Sequence, residues 1–153
     1  MISVVLLASE DLPGLAGQMA MLVPAAVDGL VKEVILVGAS TLGIEALVED
    51  SGARLVLVEG DAAAAFAAGA SAARGDWILT LRAAPALREG WREPVEKHLA
   101  GGGGGGAPAV LAAPGGLLAR RLHGVLLRRL DWPANGGDER ALAKTLKARR
   151  LTY

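Results

Sequence analysis

The sequence predicts a single α/β domain, a mostly parallel sheet flanked by helices. Two observations carry that expectation. Apolar runs of strand length, such as residues 2–8 and 34–37, are continuous rather than alternating, the pattern of strands covered on both faces. Segments of helical length lie between them, so strand and helix alternate through residues 1–100 as right-handed βαβ crossovers require. With 153 residues the chain is about one domain long.

Residues 2–8 open the chain as a strand, β-branched at its start. A helix over 12–30 follows Ser9-Glu10-Asp11, with Pro13 tolerable in the first turn and Pro24 marking a break or kink. Residues 33–37 read as the second strand and 41–51 as the second helix, capped by Ser40-Thr41 and closed by Gly52. A third strand over 54–58 leads into an Ala-rich helix over 61–73, a fourth strand over 76–81 and a helix over 89–100. Six consecutive glycines, 101–106, cost ~1 kcal/mol each in a helix relative to Ala, so residues 101–107 read as a flexible linker. Beyond it, 109–112 reads as a short fifth strand. Leu118, Leu122, Val125 and Leu126 recur at i, i+4, i+7 and i+8, which predicts an amphipathic helix over 117–130 with Arg120, Arg121, Arg128 and Arg129 off its apolar stripe. Residues 132–137 read as a loop and 138–150 as a last helix, acidic at its start and basic at its end as the macrodipole prefers. Within one domain this divides the chain into a core (1–100), the linker and a basic helical part (108–153).

Apolar residues make up 52% of the chain and mean hydropathy is +0.40, which argues against disorder over most of its length. No apolar run approaches the ~20 residues of a membrane span. The start lacks the basic segment and long apolar stretch of a signal peptide, so cytoplasm is the expected location. Absence of cysteine excludes disulfides and thiolate metal sites. Net charge is zero but unevenly spread: residues 1–114 carry 7 Lys/Arg against 13 Asp/Glu, and 115–153 carry 9 against 3. The basic tail is either a solvated helix face or a surface for a protein partner or an anionic membrane. No nucleic-acid partner is expected. In a parallel sheet ligands bind beyond the carboxyl ends of the strands, here Ala8-Ser9-Glu10, Gly38-Ala39-Ser40 and Arg82-Ala83-Ala84.

The order of several segments resembles bacterial family 2 glycosyltransferases of the GT-A fold. These segments are Ser3-Val4-Val5 in the first strand, Glu33-Val34-Ile35-Leu36-Val37-Gly38-Ala39-Ser40-Thr41-Leu42-Gly43, Gly52-Ala53-Arg54, Ala73-Arg74-Gly75-Asp76-Trp77 with the strand after it, and Gly90-Trp91. The resemblance spans about residues 1–95 and implies a Rossmann-like GT-A domain that binds a nucleotide-sugar through Ser9, Glu10, Gly38, Ala39, Ser40, Arg82 and Ala84 by position.

Departures from that family bear on function. Where it places an Asp against the donor base and a second Asp four residues on, this chain has Gly38 and Leu42. Where it places the metal-bridging Asp after the fourth strand, this chain has Ala84, with Arg82 two residues before. Divalent cations of this kind want carboxylate oxygens, so no metal cofactor is expected. The resemblance carries the catalytic base to Glu139, or to Asp138 in an alternative register, although helix capping accounts for both equally simply. Relative to the family, the acceptor region is short. Arg82 is expected either to pair with a nearby acid or to stand in for the metal against a diphosphate. His98 and His123 have no second ligand at metal spacing, and Ser9, Ser40 and Thr41 have no paired base. The expected function is therefore a binding or regulatory module for a nucleotide or nucleotide-sugar, catalytically silent. The alternatives are a metal-independent sugar transferase and an interaction module that lies peripherally on a membrane or protein through the basic helix.

Overall fold

The computed structural model describes residues 1–101, 106–112 and 122–153. Chain order is β1 (Ile2–Leu7), α1 (Leu12–Val27), β2 (Val31–Gly38), α2 (Ile44–Ser51), β3 (Arg54–Leu57), α3 (Ala62–Ala72), β4 (Trp77–Leu81), α4 (Arg92–Leu99), β5 (Ala109–Ala112), β6 (Leu122–Arg128), α5 (Glu139–Thr145) and β7 (Arg149–Thr152). The seven strands form one sheet in the order β3-β2-β1-β4-β6-β5-β7. Only β6 runs against its neighbours. The fold is the expected α/β one, with strand order reversing at β1.

Continuous apolarity has the expected cause. β1 lies between β2 and β4, and successive residues enter opposite cores: Val4 and Leu6 pack with Leu15, Leu22, Leu79 and Leu81, whereas Val5 packs with Ile35, Val37, Phe66 and Ile78. α1 runs through Pro24 as one helix, so the expected break is absent. α2 starts at Ile44 behind a left-handed Gly43, with no side-chain cap; Ser40 and Thr41 lie ahead of it.

The larger correction concerns residues 108–153, whose described elements are mostly strands (β5, β6 and β7), with α5 their only α-helix. Of the expected helix over 117–130, residues 117–121 lie outside the described residues, Arg120 and Arg121 among them. The rest is β6, followed by a 3-10 turn, Arg129–Asp131. The apolar residues between Leu122 and Leu127 satisfy a helical stripe and a doubly buried strand equally well. Pairing between β4 and β5 selects the strand, with Leu126 in one core and Val125 and Leu127 in the other. Gly124 shows how close that pairing is, since a Cβ there would lie 2.2 Å from the Thr80 carbonyl oxygen. The expected last helix likewise stops at Thr145. Lys147 adopts a positive φ of 48° and the chain turns into β7 beside β5. Of the linker, residues 102–105 lie outside the described residues.

Candidate functional site

The carboxyl ends of β1, β2 and β4 converge, as the topology requires. Ser9 is fixed by its neighbours: its Oγ accepts from the Asp11 N–H at 3.1 Å and its carbonyl from Thr41 Oγ1 at 3.4 Å, which ties the loops after β1 and β2 together. Asp11 caps α1 through the Gly14 N–H at 2.9 Å. Gly38 has φ +134°, a conformation L side chains rarely adopt, and an added Cβ would lie 3.3 Å from Ala8 Cβ. A carboxylate at this position would meet backbone strain. Glu10, Ala39, Ser40 and Ala84 are exposed at the rim, and Leu42 is 95% exposed.

After β4 the loop is pinned by a residue the sequence reading passed over. Gln18 lies on the otherwise apolar buried face of α1, with Leu15, Met19 and Leu22. Its Nε2 donates to the carbonyls of Arg82 (2.7 Å) and Pro85 (3.2 Å), and its Oε1 accepts from the Leu87 N–H (3.0 Å). A lone amide on an apolar helix face is the signal that would have found it, because a buried amide must be satisfied. The Ala84-Pro85 peptide bond in this loop is cis.

Arg82 and Glu139 meet here, 57 residues apart in sequence. Arg82 Nε donates to both carboxylate oxygens at 3.0 and 2.9 Å, and Nη2 donates to Oε2 at 2.8 Å. Glu139 is 5% exposed, whereas the Arg82 side chain is 42% exposed. The guanidinium sits 5.9 Å from the Phe66 ring centroid. Its hydrogen bond to Glu139, helped by the charges of Glu139 and Asp138, raises an already high pKa against the cost of burial. Asp138 is the N-cap of α5, its Oδ1 accepting from the Ala141 N–H at 2.9 Å. Of the two candidate bases, one caps a helix and the other is engaged by Arg82.

Arg82-Ala83-Ala84 presents no carboxylate, and among the described residues no group of three or more His, Asp or Glu could hold a metal ion. Both histidines belong to the interior. His98 Nε2 donates to the Ala107 carbonyl at 2.8 Å and stands edge-on to Trp77. His123, buried in β6 rather than mid-helix, pairs through Nδ1 with the Tyr153 hydroxyl. Burial, with the nearby Arg88 charge, pushes the His123 pKa down. A groove of about 580 Å³ between α3 and residues 132–137 is lined by alanines, Arg129 and Trp132, and neither Arg82 nor Glu139 reaches it.

Solved structures share this architecture. Glucosyl-3-phosphoglycerate synthase from Mycobacterium tuberculosis, in complex with Mn²⁺, uridine diphosphate and glucosyl-3-phosphoglycerate, matches with a TM-score of 0.73 at 19% identity, over 99% of this chain and 69% of that one. The same enzyme with phosphoglyceric acid matches with a TM-score of 0.74 at 19% identity and the same coverage. The chain has the GT-A fold. A further mycobacterial protein matches at 0.71 and 20% identity, over 99% of this chain and 65% of that one. No protein-family model matches the chain, and no curated protein matches it in sequence. Among the described residues no helix is long and apolar enough to cross a membrane.

Proposed function

We propose that this chain is a glycosyltransferase-like GT-A domain that binds a nucleotide or nucleotide-sugar at the carboxyl ends of β1, β2 and β4 and has lost metal-dependent transfer, serving as a binding or regulatory module. The structural neighbours that bind uridine diphosphate and UDP-glucose support the ligand class. The observation that carries the loss of transfer is the pairing of Arg82 with Glu139 beside Ala84. In this reading the pairing sets a cation at the position that the resemblance gives to a metal, and it engages the carboxylate that the resemblance gives to the base. Removing one well-placed electrostatic contribution from a transferase costs ~3 kcal/mol or more, and here the metal and the base fail together.

A thermal-shift series with UDP, GDP, dTDP and UDP-glucose tests the reading, since a ligand of the native state raises the unfolding midpoint by mass action. The expected result is a nucleotide-dependent rise that Mn²⁺ does not enlarge, with no sugar transfer. A rise that requires Mn²⁺ would overturn the metal-free reading. The metal-independent transferase remains the second reading because Arg82 is fixed at the place where a departing diphosphate would need a cation. Robust transfer abolished by Glu139→Gln or Asp138→Asn would establish it instead. Attachment to a membrane or partner through a basic helix draws no support from the described residues 122–128, which form a strand with Val125 and Leu127 in the sheet core.

A further inference from the structure

We propose that Glu139 is a positioning residue, which holds the Arg82 guanidinium at the end of β4 so that its free edge receives the diphosphate of a nucleotide without a divalent cation. This rests on the reading of the strand ends as a nucleotide site, and it names the group in that site that takes the ligand's charge.

A guanidinium carries five N–H donors in a planar fork. Glu139 occupies one edge, through Nε and Nη2. Three donors remain, two on Nη1 and one on Nη2, and no described residue accepts from them. They form the end-on edge, whose two parallel N–H directions match a pair of phosphate oxygens. Because Glu139 is buried and the Arg82 side chain is half-exposed, the carboxylate backs the guanidinium on its protein side.

Arg82 is held at three points. Gln18 grips its carbonyl, Phe66 lies against the guanidinium, and Glu139 pairs with it. An ordinary surface ion pair has no such scaffold and contributes little. Fixing a long side chain beforehand removes an ordering cost from binding. A general base, in contrast, must reach the proton it takes, and both Glu139 oxygens already accept from Arg82.

The sign of one substitution separates positioning from mere proximity. Glu139 carries negative charge beside the place where the anion would sit, so its removal alone should strengthen anion binding. Positioning requires the opposite. Calorimetric titration of the full chain with pyrophosphate and with UDP, both in EDTA, reads this directly, with unfolding midpoints measured in parallel. The wild type is expected to bind both probes, Arg82→Gln to lose about tenfold or more, and Glu139→Gln to lose about tenfold despite losing a repulsive charge. Glu139→Asp, which keeps the charge but shortens the reach, should fall between them, and it carries the test should Glu139→Gln not fold. Affinity that is unchanged or tighter in Glu139→Gln, whatever its unfolding midpoint, overturns the positioning role. Binding that survives Arg82→Gln overturns the phosphate seat but leaves a nucleotide site elsewhere on the strand ends. Failure of the wild type to bind either probe overturns both this proposal and the nucleotide reading beneath it.

Discussion

The two ends of the sheet each hold a glutamate paired with an arginine, and the two pairs are built differently. At the amino ends, Glu33 accepts from Ser3 Oγ and Arg54 Nη1, each at 2.7 Å, and from the Arg74 N–H at 2.7 Å. Arg54 also donates to the Ala72 carbonyl, and Ser3 Oγ accepts from the Gly75 N–H. That network ties β1, β2, β3 and the turn before β4 together, and most of its polar groups have partners within it. At the carboxyl ends, among the described residues, Glu139 accepts from Arg82 alone and the arginine keeps a free edge. The same two residue types make a closed joint at one end and an open one at the other. A closed network serves the fold, whereas an open donor edge on a fixed scaffold is what a ligand requires.

Unfolding measurements can break this contrast. The largest effect is expected at the closed end: Glu33→Ala leaves the Ser3 hydroxyl, the Arg74 N–H and the Arg54 charge without their acceptor, and should lower stability by about 3 kcal/mol in urea denaturation. Gln18→Leu comes next, at about 2 kcal/mol, because two carbonyls and one N–H of the loop after β4 lose a buried partner while the helix face gains only apolar area. The same variant should weaken UDP binding if the loop aims Arg82. Glu139→Ala is expected to be milder, at about 1 kcal/mol, since the half-exposed Arg82 can rehydrate. A loss at Glu139 as large as that at Glu33 would erase the distinction between the two ends.

The smallest effect is in pH. Burial pushes the Glu33 pKa up, but the hydrogen bonds from Ser3, Arg54 and the Arg74 N–H together hold it below the usual value of a glutamate. A depressed carboxylate contributes its stability fully above the unfolded-state value, and that contribution is lost as pH falls through the lower folded-state value. Wild-type stability should therefore drop as pH falls through the carboxylate range, at roughly pH 4 and below, and Glu33→Gln should show a shallower acid limb there. Equal acid limbs in the two proteins would show that the network does not favour the ionised form.

Legibility followed how strongly each segment's own pattern excluded alternatives. β1, β2 and β4 were readable because short continuous apolar runs flanked by polar turns suit a buried parallel strand. β5 was readable at the same length. β6 was not, because Leu122, Val125 and Leu126 fit a helical stripe as well as a strand, and only pairing with β4 and β5 decides. The site divided in the same way. Topology placed Ser9, Gly38 and Arg82 at the strand ends, whereas the cap formed by Asp138 emerged as one of two readings the sequence left open. Gln18 was missed because its role depends on a loop 64 residues away.

Local pattern alone was thus enough to determine an α/β chain and the lack of a carboxylate at positions 38 and 84, and it pointed the search for a site to the strand ends. These properties depend on residue type and period, which a chain carries without being folded. Tertiary structure alone decided that residues 122–128 complete the sheet, that Gln18 holds the β4 loop, and that Arg82 finds its acid in Glu139 rather than in a sequence neighbour. Each of those outcomes is a contact between distant segments. Its energy comes from excluding water from paired groups, and no segment can do that by itself.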